Sequence, residues 1–238
     1  NIYGFVRFAD EIVDTFHEFD KSLLLDEFKK ETFEAIERKI SLNPILNSFQ
    51  QTVNEYGIDH ELIHAFFRSM QSDLTQNKYD RQGYEEYIYG SAQVVGLMCL
   101  YVFCEADKGQ YAKLETAAQA LGAAFQKINF LRDIKADFND LSRIYFPGCD
   151  FHNFSESDKL GIENDIENDF KIALHGILKL PMKAKFGVYV AYKYYYSLFK
   201  KIKTTEPHHI LQKRIRIPNY LKVCIVFRAS VKNGLGLI

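Results

Sequence analysis

Two pairs of aspartates share one spacing in this chain. Asp10-Glu-Ile-Val-Asp14 and Asp133-Ile-Lys-Ala-Asp137 each set two carboxylates four positions apart, the second pair beginning 123 positions after the first. On a helix such residues lie on one face, where like charges oppose each other by a few tenths of a kcal/mol. Two such pairs facing one cavity would need cations. Hard carboxylate oxygens suit Mg²⁺ (or Mn²⁺), which commonly bridges protein carboxylates to substrate phosphates. An arginine accompanies each pair: Arg7 lies three residues before Asp10, and Arg132 directly precedes Asp133. Arginine is the natural bidentate partner of phosphate. Gln126, Asn129, Asp133 and Asp137 step by three, four and four, a single helical stripe of two amides and two carboxylates. That stripe suits a metal–diphosphate site with an amide as a further ligand.

Taken singly, an i,i+4 aspartate pair in a chain with 26% charged residues is ordinarily a solvated face, and a polar seam between helices is the lesser reading of the 126–137 stripe. The surroundings argue against plain exposure. Asp10 and Asp14 sit among Phe5, Val6, Phe8, Ile12, Val13 and Phe16, and the second pair follows Phe125, Ile128, Phe130 and Leu131. Ionised carboxylates embedded in apolar helices require a compensating partner.

The elements that must position these groups are helical nearly throughout. Phe5, Phe8, Ile12 and Phe16 pace a first helix over 2–19, and Leu24, Phe28 and Phe33 a second over 21–40. Asn43-Pro44 supplies an N-cap with proline at the first helical position. Gly57 ends the third helix, and Asp59 caps a fourth to about Gln76. Residues 84–105 and 110–138 carry the richest motifs. Ser155-Glu-Ser-Asp158 approximates a capping box for a helix through Leu178. Pro181 starts another to about Thr204, and a last amphipathic stretch runs over 218–237. The expectation is one all-α domain spanning 1–238, with eight to ten helices.

At 238 residues and a net charge of −1 the chain has no general attraction for nucleic acid. Cys99, Cys104, Cys149 and Cys224 form no CxxC pair and read as reduced residues of a cytoplasmic protein. Residues 87–104 lack charge, which is the lower edge for a membrane span, but polar and glycine residues and acidic flanks favour a buried central helix. The KIKTTEPHH and QKRIR stretches make the C-terminal region basic. A solvated face is its first reading, and contact with diphosphate or a membrane surface the second. The chain starts on Asn1 with apolar periodicity already running, as a fragment lacking its N-terminal segment would.

In this context the motifs resemble the squalene/phytoene synthase family. Arg7-Phe-Ala-Asp10-Glu-Ile-Val-Asp14 looks like its first aspartate motif, and Tyr87-Ile-Tyr-Gly90-Ser-Ala-Gln-Val-Val-Gly96 like its central YxYGxAxxVG helix. Residues 121–137 look like the second aspartate motif, and Arg143-Ile-Tyr145-Phe-Pro147 like the loop after it. Four motifs in order, with likeness to about Lys222, are specific where a lone DxxxD is not. The texture is most similar to phytoene synthases of bacterial carotenoid pathways.

The resemblance implies a single-domain isoprenoid synthase fold, with helices around a central cavity. It implies head-to-head condensation of two geranylgeranyl diphosphates to phytoene through a cyclopropyl diphosphate. Asp10, Asp14, Asn129, Asp133 and Asp137 would hold Mg²⁺. Arg7, Gln126, Arg132 and Arg214 would bind diphosphate, and Tyr87 and Tyr195 would face that site. A membrane surface would receive the product by peripheral contact. Squalene or dehydrosqualene synthesis from farnesyl diphosphate is the nearest rival, and a non-catalytic assembly subunit the rival of another class.

Overall fold

The computed structural model describes residues 1–76, 78–135, 145–149 and 153–238. Asp137 and Arg143 lie outside the described residues.

Local chemistry sets the helix limits. α1 (Ile2–Thr15) is followed by α2 (Lys21–Arg38), whose N-cap Asp20 accepts from the Leu23 amide. In α3 (Pro44–Tyr56) the Asn43 side chain accepts from the Ile45 and Leu46 amides. Gly57 ends it at φ 62°, the left-handed region where an L side chain would be strained. α4 (His60–Thr75) is capped by Asp59. The helix expected over 84–105 has three parts: α5 (Arg81–Ile88), a π-helical turn (Tyr89–Gln93) and α6 (Val94–Phe103). Glu105 and Ala106, both at positive φ, turn the chain into α7, which is described from Lys108 to Lys135. α8 (Glu156–Ile177) starts with the expected capping box, complete in both directions between Ser155 and Asp158. α9 (Met182–Lys203), a short α10 (Pro207–Gln212) and α11 (Asn219–Gly234) follow. α1 stops four residues before Phe19, and α10 has no counterpart among the expected helices. The all-α expectation holds.

Two buried apolar clusters make the interior. One joins α1–α4 to Val94, Leu97 and Met98 of α6, around Phe5, which stacks on Phe49 with ring centres 3.8 Å apart. The other joins α5 and α7 to α8–α10, around Phe170, Phe199 and Leu131. α6 and α7 run along the seam between the clusters. α7 crosses the π-helical turn and α6 with glycine against carbonyl in both directions: a Cβ on Gly122 would lie 2.5 Å from the Ala92 oxygen of the turn, and one on Gly96 2.8 Å from the Ala118 oxygen. The uncharged stretch is therefore a packed central element, and none of the described helices is long and apolar enough to cross a membrane.

Candidate active site

A cavity of about 700 Å³ opens along that seam, between α1, the π-helical turn, α6, α7, α8 and α9. Its walls are apolar over most of their length. On α7 they run from Leu114 through Leu121 and Phe125 to Gln126 and Asn129. At 1.5 Å per residue, 114 to 129 spans about 22 Å. Tyr3 and Val6 of α1 line the opposite side.

Both acid-bearing stripes continue these walls. On α7 the lining residues Gln126 and Asn129 lead at the next turn to Asp133. On α1, Tyr3 and Val6 lead to Asp10 and then Asp14. Of the polar lining groups, Gln126, Asn129 and Tyr195 lie toward that end. The Tyr195 hydroxyl donates to Asn129 Oδ1 at 3.3 Å, while its ring stacks on Phe125 at 3.8 Å. Arg132 reaches Asp133 at 2.6 Å, and Arg214 joins from beyond α10, its Nε 2.7 Å from Asp133 Oδ1. The structure thus brings Gln126, Asn129, Arg132, Asp133, Tyr195 and Arg214 together, as expected from residues up to 88 positions apart.

Arg7 is shared between Asp10, at 3.6 Å, and Glu11. The Asp10 carboxyl is pushed up to about 6, first by its partial burial, then by the Asp14 charge, against the pull of Arg7. It is a carboxylate short of positive charge. Oxygen donors of this kind, on Asp10 and Asp14 of α1 and on Asn129 and Asp133 of α7, are those a hard divalent cation accepts.

Tyr87 has a different setting. It does not line the cavity; its hydroxyl donates to the buried Asp73 at 2.6 Å, and the Tyr145 hydroxyl reaches the other oxygen at 3.5 Å. Burial, then Asp73, raises its ionisation well above the usual tyrosine range. Tyr79, Phe130 and Tyr145 pack around it. Nothing in the spacing of Asp73 signals this role, which needs α4 and α5 to be folded together.

Two further features escape the sequence. Asp165 and Asp169 of α8 repeat the i,i+4 spacing, but Lys127 of α7 answers them, with Nζ 2.6 and 2.7 Å from their oxygens. A lysine within an apolar stretch was the available signal. In the π-helical turn, Ser91 lines the cavity and its buried hydroxyl has no hydrogen-bond partner among the described residues. Gly90, by contrast, serves close packing, with the Ala65 carbonyl 2.6 Å from where its Cβ would be. Most of the tyrosines and phenylalanines pack in the clusters; the rings lining the cavity are Tyr3, Phe103, Phe125 and Tyr195.

A sequence model of the squalene/phytoene synthase family matches residues 1–220. Solved structures share the fold. A dehydrosqualene synthase in complex with ligand superimposes with a TM-score of 0.78 at 18% identity, covering 97% of this chain and 84% of that one. Squalene synthase HpnC from Alicyclobacillus acidocaldarius does so with a TM-score of 0.70 at 20% identity, covering 85% of this chain and 79% of that one. No curated protein matches the sequence.

Proposed function

The chain belongs to the squalene/phytoene synthase family, and on that premise we propose that it joins two geranylgeranyl diphosphates head to head to make phytoene, with Mg²⁺ (or Mn²⁺) at its paired carboxylates. The observation that carries this reading is the continuity of the apolar cavity with the cluster of Asn129, Asp133, Arg132 and Arg214. One molecule can keep its diphosphate at the charged end and its hydrocarbon along the wall.

The cation, when bound by Asp10, Asp14, Asn129, Asp133 and (outside the described residues) Asp137, supplies charge that stabilises a departing diphosphate. Arg132 and Arg214 offer fork-shaped donors to phosphate oxygens. Arg7 offers the same from α1. Tyr195 holds the Asn129 amide in orientation through its hydroxyl. The apolar walls exclude water, which would quench an allylic cation, and the faces of Phe125, Tyr195 and Phe103 tolerate positive charge. With carbon held in that dry channel, the second chain's double bond attacks the allylic cation left by the first diphosphate, and loss of a proton closes the cyclopropyl diphosphate; its own ionisation releases the second diphosphate, and rearrangement with loss of a second proton yields the C40 hydrocarbon. Such a product does not disperse in water, so peripheral contact with a membrane would serve its release.

The test is incubation with geranylgeranyl diphosphate and Mg²⁺, with and without NADPH, and in parallel with farnesyl diphosphate, followed by mass analysis of the hydrocarbon. Phytoene from geranylgeranyl diphosphate alone is the expected result. A C30 product from farnesyl diphosphate would move the reading to squalene or dehydrosqualene, with NADPH dependence deciding which. No product from folded protein would favour a non-catalytic assembly subunit.

A further inference from the structure

The corner between α9 and α10 gathers three metal-ligating side chains outside the cavity lining. One ligand atom each from Glu206, His208 and His209 lies within 4.8 Å of the other two. The turn itself places them. Pro207 and Ile210 are buried and pin α10 to the core. Glu206, His208 and His209 are left together on the solvent side, all three exposed.

The pairing around Glu206 is unusual for a surface carboxylate. It is the single acid in residues 200–238, which hold nine Lys or Arg. Yet no Lys or Arg among the described residues pairs with it, and its side chain caps no amide of α10. The nearest lysines in the chain turn elsewhere: the Lys201 ammonium donates to the Arg216 carbonyl at 2.8 Å, and that of Lys203 to Glu167 at 2.9 Å. What faces the carboxylate is imidazole. Nδ1 of His208 and Nδ1 of His209 lie 3.4 and 3.9 Å from the same oxygen, Oε2, and the two rings are 3.9 Å apart at their centres. Both contacts are longer than an ordinary N–H···O hydrogen bond. A tetrahedral ion bonded at about 2.0–2.2 Å to nitrogen and oxygen holds its ligand atoms roughly 3.3–3.5 Å apart. The Glu206–His208 separation already has that length, and rotation of an exposed side chain brings His209 to it. Two imidazoles with one carboxylate are a donor set for Zn²⁺, whereas Mg²⁺ takes oxygen. The basic surroundings oppose a dication, which places the affinity below that of a closed structural site.

We propose that Glu206, His208 and His209 bind one Zn²⁺, with water in the fourth position, and that the ion fixes the corner between α9 and α10. The site differs in chemistry from the oxygen donors at the cavity and does not rest on the prenyltransferase reading.

The experiment is isothermal titration calorimetry of the full chain with Zn²⁺, in excess Mg²⁺ to saturate the oxygen sites. One equivalent of Zn²⁺ is expected to bind at micromolar concentration and to shift the His208 and His209 ring resonances in NMR. The melting temperature should rise with Zn²⁺ and not with further Mg²⁺. H208A/H209A and E206Q change exposed side chains only, so both should keep the wild-type circular dichroism. Each should weaken binding roughly tenfold or more. H60A/H64A removes another imidazole pair at helical spacing, on α4, and should bind Zn²⁺ as wild type does. Unchanged binding in H208A/H209A, loss of binding in H60A/H64A, or no binding by wild type would overturn the proposal. Wild-type affinity in E206Q would overturn it as well, since the carboxylate would then not be a ligand. Turnover with a prenyl diphosphate, present or absent, bears on the enzyme assignment alone.

Discussion

Asp133 shows how one side chain can serve both the resting and the working site. Two guanidiniums hold it, Arg132 from its own helix and Arg214 from 81 positions away. Removing its charge at constant shape should therefore lose catalysis and not folding. Asp133→Asn is expected to cut Mg²⁺-dependent turnover by roughly 10²–10³-fold, with far-UV circular dichroism unchanged; turnover within twofold of wild type would remove Asp133 from the metal set. Asp10 gives a second prediction at this scale. Its carboxyl titrates near 6 against 3.8 as a free side chain. Between those values the native state holds more of this proton than the unfolded chain, so Asp10's contribution to stability falls as pH rises through that window. Carbon-detected NMR of metal-free protein should find its midpoint near 6, and added Mg²⁺ should move it down. A midpoint near 4 without metal would mean that α1 leaves the pair better compensated than the geometry indicates.

Among the elements, the α6–α7 crossing decides whether the cavity has a wall. Gly122 and Gly96 let two backbones meet where any side chain would strike a carbonyl. Gly122→Ala is expected to destabilise the protein by about 1–3 kcal/mol through overpacking. Gly161, within α8 with open space around its Cβ position, is the matched control. There alanine should stabilise by about 0.5–1 kcal/mol, since a helix interior favours it over glycine. Urea unfolding of both variants checks the pair, and substitutions of the same sign would refute the steric account. The π-helical turn belongs to this scale too. It sets Ser91 and Ala92 at the cavity while Gly90 faces α4, a division that an uninterrupted 3.6-residue period does not foretell.

Across the whole molecule, α7 links the catalytic end to the second core cluster. Its Lys127 is almost fully buried and is met by Asp165 and Asp169. Burial raises the Asp169 carboxyl above the usual range, and the lysine opposes that rise. Lys127→Met should cost about 3–5 kcal/mol, because it strands a largely buried carboxylate. Adding Asp169→Asn should recover part of that loss in a double-mutant cycle. A cost below 1 kcal/mol would show that water reaches the pair.

The sequence by itself determined the helices and the stripes. The Asn43, Asp59 and Ser155 caps, Gly57, and the steps from Gln126 to Asp133 are local features, because helix capping and the 3.6-residue period are set by neighbours a few positions apart. Tertiary structure alone decided what each acidic pair meets. Asp10/Asp14 and Asp165/Asp169 have identical spacing, yet the first flanks an apolar cavity, where Asp10 meets Arg7, while the second closes on a buried lysine. The same holds for Tyr87, held by Asp73 away from the cavity wall, and for Tyr195, which lines it. A carboxylate's or a phenol's role depends on the charge and solvent that other helices bring to it. That information lies in contacts tens of residues away, and no local spacing encodes it.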